Sequence, residues 1–428
     1  MKKYILIILC CLKSFPLWSY NVNMIVEHYS VDQGLPNNTV NCTLKDRDGF
    51  IWFGTWYGLC CFDGVKFKTF NKQEHDSDVP PRKIQRIVED KNGYIWVKTI
   101  DRKLYVFNKV TECFHAVYDD MKNYSENIQV IKLQNTAEGD VLLLTKDKNL
   151  LLAGVDEKGQ VTIKILFDSR NEINKHDYTL KHHVLCETEE YISWIGTDYK
   201  VAAVHKGSEL ASRPADFITS KINSGDKDSF TSFFEDGRKV WVGDRAGIFY
   251  SIDVRTGLVN RYVLSEIKGA ISNLLVTPAG YVYLSVAGQG TYEYDLAERR
   301  LQKINTEMND AMVTHAFIDQ YDKIWFHENE KALIYYDPLN HTAKRFPFTM
   351  FGKITTLYSE DAGERGLFFL SPAGEAWLFD REHAEMVYIN KLKQLSNDRA
   401  NQQFYHLMLD NDGVLSVSYT HLRAHETK

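Results

Sequence analysis

Beyond its first twenty residues the chain has no long apolar run, so nothing in residues 21–428 reads as a membrane-spanning helix. It has no basic stripe either. The net charge of -6 is spread along the sequence, which argues against nucleic acid as a direct partner of this chain. Cysteine is scarce: past the leader stand Cys42, Cys60, Cys61, Cys113 and Cys186. An odd number without regular spacing, with Cys60 and Cys61 adjacent and so on opposite faces of a strand, reads as small core residues rather than a disulfide framework. A Gly-x-Ser-x-Gly elbow, a Cys-x-x-Cys pair and a phosphate loop are all missing. Asp46-Arg47-Asp48-Gly49 begins like a calcium loop, but Phe50 fills the next ligand position and no Glu follows at the right distance, so it reads as a turn. Gly288-Gln289-Gly290 lacks the third glycine of a nucleotide loop, and His327-Glu328 and His383 with Glu385 lack the helical spacing of a metal site. Carboxylates are too evenly scattered to nominate a general acid and base. No catalytic residue, metal or cofactor is expected.

What the chain does contain is aromatic side chains, with Tyr 24, Phe 23 and Trp 8, in a composition that is 44% hydrophobic and ample for buried cores. The stretch Asn37 to Phe70 shows how they are arranged. Val40, Cys42 and Leu44 alternate with polar residues as in a half-buried strand. Arg47-Asp48-Gly49 supplies a hairpin turn, Phe50 to Thr55 is aromatic and β-branched, Trp56-Tyr57-Gly58 turns again, and two more short strands end at Phe70. The central residue of the second strand recurs as Trp52, Trp96, Leu142, Trp194, Trp241, Tyr283, Trp325, Phe368 and Leu415, at intervals of 42 to 52 residues. Four strands per repeat at that period predict an all-β fold, a β-propeller of four-stranded blades.

Seven repeats end near Phe346, and an eighth begins at Ile354. The expected organisation is therefore a signal peptide at 1–20, a first seven-bladed propeller at 21–346, and the first one to two blades of a second propeller at 347–416. A tail that reads as non-native follows at 417–428, where the repeat pattern stops within a strand. The signal peptide rests on Lys2 and Lys3 before the apolar run Tyr4 to Leu12, and it directs the chain out of the cytoplasm. Because each strand reverses the last, the turns between second and third strands share one face with the long connectors between blades. The opposite face holds tight turns alone. Function on such a scaffold belongs to the loop-rich face or the channel mouth.

The run from Gly34 to Gly64, GLPNNTVNCTLKDRDGFIWFGTWYGLCCFDG, resembles the two-component regulator propeller repeat, with its Gly-Leu-Pro-Asn-Asn start and its Asp-Gly-x-Ile-Trp-x-Gly-Thr core. The resemblance implies a periplasmic sensor region of a hybrid two-component system, in which glycan fragments are the ligands and a homodimer transmits the signal. The membrane would be reached through a C-terminal part that this chain lacks. It assigns kinase activity to no part of the chain. The turns on the loop-rich face hold Trp56-Tyr57, Asp101-Arg102, Lys146-Asp147, Asp198-Tyr199, Asp244-Arg245 and Glu328-Asn329. Flat sugar faces stack on aromatics while hydroxyls bond to Arg and carboxylates, so Trp56, Tyr57, Arg102, Tyr199 and Arg245 are the expected oligosaccharide-binding residues. The competing readings are an exported propeller enzyme, a lyase or glycosidase with titratable groups converging in the channel, and a protein-interaction scaffold with a broad apolar patch.

Overall fold

The structure is a computed structural model that describes residues 29–70, 72–73, 80–122, 129–168, 180–196, 201–207, 230–304, 313–329, 331–351, 358–361, 363–371, 373–391, 402–409 and 415–421. The expected signal peptide and Tyr199 lie outside them. Among the described residues nine sheets follow one another in chain order, interrupted by short helical turns such as Tyr118–Met121 and Phe348–Phe351. Six have four antiparallel strands side by side in sequence order. The second adds Lys72–Gln73 parallel to its outer strand, the fourth shows three strands, and the ninth is the hairpin Gln402–Leu409 with Leu415–His421. Val417 to His421 remain in that ladder, so pairing continues past the expected break at residue 417.

The repeat found in the sequence is a repeat of register. Trp52, Trp96, Leu142, Trp241, Tyr283 and Trp325 each stand opposite the fifth residue of their own first strand: Leu44, Val88, Gln134, Phe234, Leu275 and Phe317. In sheets 1, 2, 5 and 7 this residue is Trp, and an Asp of the preceding turn holds it. Asp46, Asp90, Asp236 and Asp319 accept the indole N–H of Trp52, Trp96, Trp241 and Trp325 at 2.8, 2.9, 2.7 and 3.3 Å. The other carboxylate oxygen takes two backbone N–H groups of the turn, as Asp46 Oδ1 does from Asp48 and Phe50. The carboxylate satisfies the hairpin and the buried indole together, which explains why Asp and Trp recur at this spacing.

The glycine of Trp52-Phe53-Gly54-Thr55 has a packing reason. A Cβ at Gly54 would lie 2.4 Å from Cys42 Sγ and 2.6 Å from Ile84 Cγ2, and one at Gly243 would lie 2.4 Å from Ser232 Oγ and 2.7 Å from Ile271 Cγ2. Ile84 and Ile271 open the next sheet, so this glycine sets how closely neighbouring sheets approach. Gly54→Val is expected to cost about 1–3 kcal/mol through overpacking, read as a lower urea midpoint. Unchanged stability would mean that Cys42 and Ile84 move aside freely.

From sheet 1 to sheet 8, each consecutive pair shares an apolar cluster. Trp52 and Phe70 of sheet 1 meet Ile84, Ile95 and Phe107 of sheet 2, and the pattern continues to Trp325, Tyr335 and Phe346 of sheet 7 against Phe369, Trp377 and Phe379 of sheet 8. No break in packing falls at the boundary expected after residue 346. The ninth hairpin packs against the first strands of both sheet 8 (Tyr358–Asp361) and sheet 1 (Val40–Lys45), so the ends of the series meet.

Candidate functional site

The start of each first strand and the end of each second strand meet on the loop-rich face, as in the pairs Val40 with Thr55, Ile84 with Thr99 and Val130 with Thr145. A bulge follows the first residue in each case. It frees a side chain to reach the neighbouring sheet: Asn41 Nδ2 donates to the Ile84 carbonyl at 2.7 Å, and Thr231 Oγ1 to that of Ile271 at 2.7 Å. The turn after the second strand is braced by its threonine. Thr55 Oγ1 donates to the Gly58 carbonyl at 2.8 Å and accepts from the Tyr57 amide at 3.2 Å.

Bracing of this kind fixes the exposed aromatic pair. Trp56 is 37% exposed and Tyr57 61%. The Trp56 carbonyl accepts the Lys83 amide at 2.9 Å, and the Lys83 carbonyl accepts that of Ile100 at 2.8 Å, which runs a backbone link from the turn of sheet 1 to the turn of sheet 2. The Lys83 ammonium lies 5.3 Å from the centre of the Trp56 ring. Arg102 is exposed on the turn of sheet 2, in the left-handed region at φ 68°, and its carbonyl receives the Val130 amide of sheet 3 at 2.9 Å. The structure therefore brings Trp56, Tyr57 and Arg102 to neighbouring turns. Arg245 is exposed on the turn of sheet 5, with no contact to these three among the described residues, and Tyr199 is not described.

The sequence reading passed over three further groups here. Lys98 occupies the place that Gly54 and Gly243 hold in their sheets, and it stands directly opposite Arg86 in the ladder. It is 5% exposed and its ammonium donates to the side-chain carbonyl of Gln85, the bulge residue. Burial first, then the charges of Arg102 and Arg86, pull its pKa below the ordinary lysine value. A lysine directly after the apolar run Ile95-Trp96-Val97, still within the strand, was the available signal. Below it, a cavity of about 400 Å³ opens between the first strands of sheets 1 to 3, lined by Thr43, Leu44, Arg86, Val88, Glu89 and Asn135.

The tight-turn face carries carboxylates of another kind. Asp46, Asp48 and Glu89 converge as metal ligands would, but the Lys109 ammonium sits among them at 3.0, 2.8 and 2.8 Å. A side-chain cation fills that position. The Asp46–Gly49 segment is a turn, as its sequence implied. Between sheets 6 and 7, buried Glu293 accepts the hydroxyls of Tyr283 at 2.8 Å and Tyr336 at 3.3 Å, tying the two sheets together.

No curated protein matches the chain. Among solved structures it is similar to the extracellular domain of a protein described as a one component system from B. thetaiotaomicron. The identity there is 13%, with 92% of this chain and 66% of that chain covered, at a TM-score of 0.38. It is also similar to the extracellular domain of a protein described as a hybrid two component system from the same organism, at 16% identity, 92% and 53% coverage and a TM-score of 0.34. Sqt1 of Saccharomyces cerevisiae gives 10% identity, 78% and 93% coverage and a TM-score of 0.47. The chain thus spans less than two thirds of the length of the two extracellular domains. In sequence, residues 34–57 match the family described as two component regulator propeller. That match runs from Gly34 through the first strand, the Asp46 turn and the Trp52 strand to Tyr57, and so covers the first two strands of sheet 1 and the start of the turn after them.

Proposed function

We propose that this chain is the periplasmic sensing part of a hybrid two-component regulator, and that it binds glycan fragments on its loop-rich face. The observation that carries the reading is the family match at residues 34–57, which closes on the exposed pair Trp56 and Tyr57. Kinase and DNA-binding steps belong to parts of the protein outside this chain. A sugar laid on Tyr57, with hydroxyls within reach of Arg102, would favour one arrangement of a homodimer over another, because only a ligand that binds the two states unequally shifts their balance.

Calorimetric titration with a panel of oligosaccharides tests this. At least one is expected to bind, and Tyr57→Ala, which removes an exposed ring without a core role, is expected to weaken that binding by roughly tenfold. Failure of every saccharide to bind would overturn the reading. Binding that Tyr57→Ala and Arg102→Ala both leave unchanged would move the site elsewhere on the fold.

A further inference from the structure

We propose that the upper end of sheet 2 is an anion site, in which Arg86, Lys98 and Arg102 take the carboxylate or sulfate group of an acidic oligosaccharide. The inference rests on the sensor reading and narrows its ligand class. Like charges directly opposite each other across a ladder oppose strand pairing, yet Arg86 and Lys98 are register partners here. The same two positions hold Cys42 and Gly54 in sheet 1, Ser232 and Gly243 in sheet 5, and Asn273 and Ser285 in sheet 6. Those three sheets form the same ladder without charge, and sheet 3, which has Lys132 at the first position, sets Leu144 opposite it.

Nor does the chain neutralise it. Among the described residues no carboxylate lies within hydrogen-bonding distance of these three cations. Asp101, the nearest acid in sequence to Arg102, is engaged by Thr99 Oγ1 at 2.5 Å and by Lys103 at 3.7 Å. Glu89, at the far end of the Arg86 strand, is held by Lys109 at 2.8 Å and Arg47 at 3.2 Å. Lys98 is buried with a neutral amide as its partner, whereas buried ammonium groups are ordinarily paired with acids. Unbalanced charge of one sign beside a cavity marks a functional position. Guanidinium groups match the paired oxygens of a carboxylate or sulfate. The turn carrying Trp56 and Tyr57 is joined to this sheet through Lys83, so one ligand would place its ring on the aromatics and its acid on the cations.

Calorimetric titration of the whole chain with trigalacturonate, a sulfated chondroitin disaccharide, sodium sulfate and uncharged maltotriose tests the proposal. At least one acidic saccharide is expected to bind about tenfold more tightly than maltotriose, and its affinity should fall as salt is raised. Arg86→Gln alters an exposed side chain and leaves the core intact, and it is expected to weaken that binding about tenfold without changing maltotriose, whereas Arg102→Gln should weaken both. Preference between the uronate and the sulfate identifies which acid the site takes. Acidic saccharides that bind no better than maltotriose, or that keep full affinity in Arg86→Gln, overturn the anion site and leave saccharide sensing standing. Sodium sulfate binding as tightly as the acidic saccharides overturns the assignment to a sugar, and a chain that binds none of the probes overturns both readings.

Discussion

Trp325→Ala is expected to lower the unfolding free energy by about 4 kcal/mol, the ordinary cost of deleting a buried aromatic. The indole is fully enclosed and is the centre of the joint between sheets 7 and 8. On its own sheet it meets Tyr335 at 5.2 Å between ring centres. From sheet 8 come Phe369 at 5.2 Å and Phe379, edge-on, at 4.6 Å. No neighbour has the volume to close the space, and Asp319 loses the indole donor at 3.3 Å. A urea titration followed by far-ultraviolet circular dichroism measures the loss. Trp325→Phe, which keeps most of the volume and lacks the N–H, should fall between the parent and the alanine variant. A loss below about 1.5 kcal/mol for the alanine variant would mean that sheet 8 is not seated on this indole.

The positions legible in the sequence are those fixed by short-range chemistry. Asp in the turn and Trp in the second strand recur because sheets 1, 2, 5 and 7 solve the same local problem, the burial of a ring whose N–H needs an acceptor six residues or fewer away. Trp56, Tyr57 and Arg102 were legible for the same reason, since they occupy the turn that follows this strand. Lys98 was not, because its meaning depends on Arg86, its partner across the ladder, and on a bulge at Gln85 that sets their side chains on one face. The end of the ring was illegible as well. The repeat unit looks the same whether its neighbour closes a circle or continues it, and the pairings that decide this lie between sheets, as Arg381 with Asp319 does.

Those pairings support the second large effect. Lys109→Met is expected to cost about 3 kcal/mol at neutral pH, because it strands carboxylates that cannot reach water. The ammonium lies 3.0 Å from Asp46, whose side chain is fully buried, and 2.8 Å from Glu89, which is nearly so. Burial alone would lower the Lys109 pKa, but the hydrogen bonds to Asp48, Glu89 and Asp46 outweigh it and hold the pKa above the ordinary 10.5. Its contribution is thus complete below pH 10.5 and is lost as pH rises through the folded value. Asp48 runs the other way: the Lys109 hydrogen bond holds it below 3.8, so its contribution is present above that pH and is lost as pH falls. The deficit of the variant should be largest near pH 7 and shrink as pH falls below 3.8, where Asp48 takes up its proton and the Lys109 bond to it is lost in the parent. Arg381→Met is the matching test at the other end of the chain. Arg381 follows the third strand of sheet 8 as Lys109 follows that of sheet 2, and it reaches Asp319 at 2.5 Å and Asp361 at 2.9 Å, the register counterparts of Asp46 and Glu89. Lys206, with Glu187 at 2.6 Å and Glu138 at 2.8 Å, repeats the clamp between sheets 3 and 4. If sheet 8 continues the ring as sheet 2 does, urea midpoints for Arg381→Met and Lys109→Met should fall by similar amounts, whereas an unaffected Arg381→Met would separate sheet 8 from sheet 7.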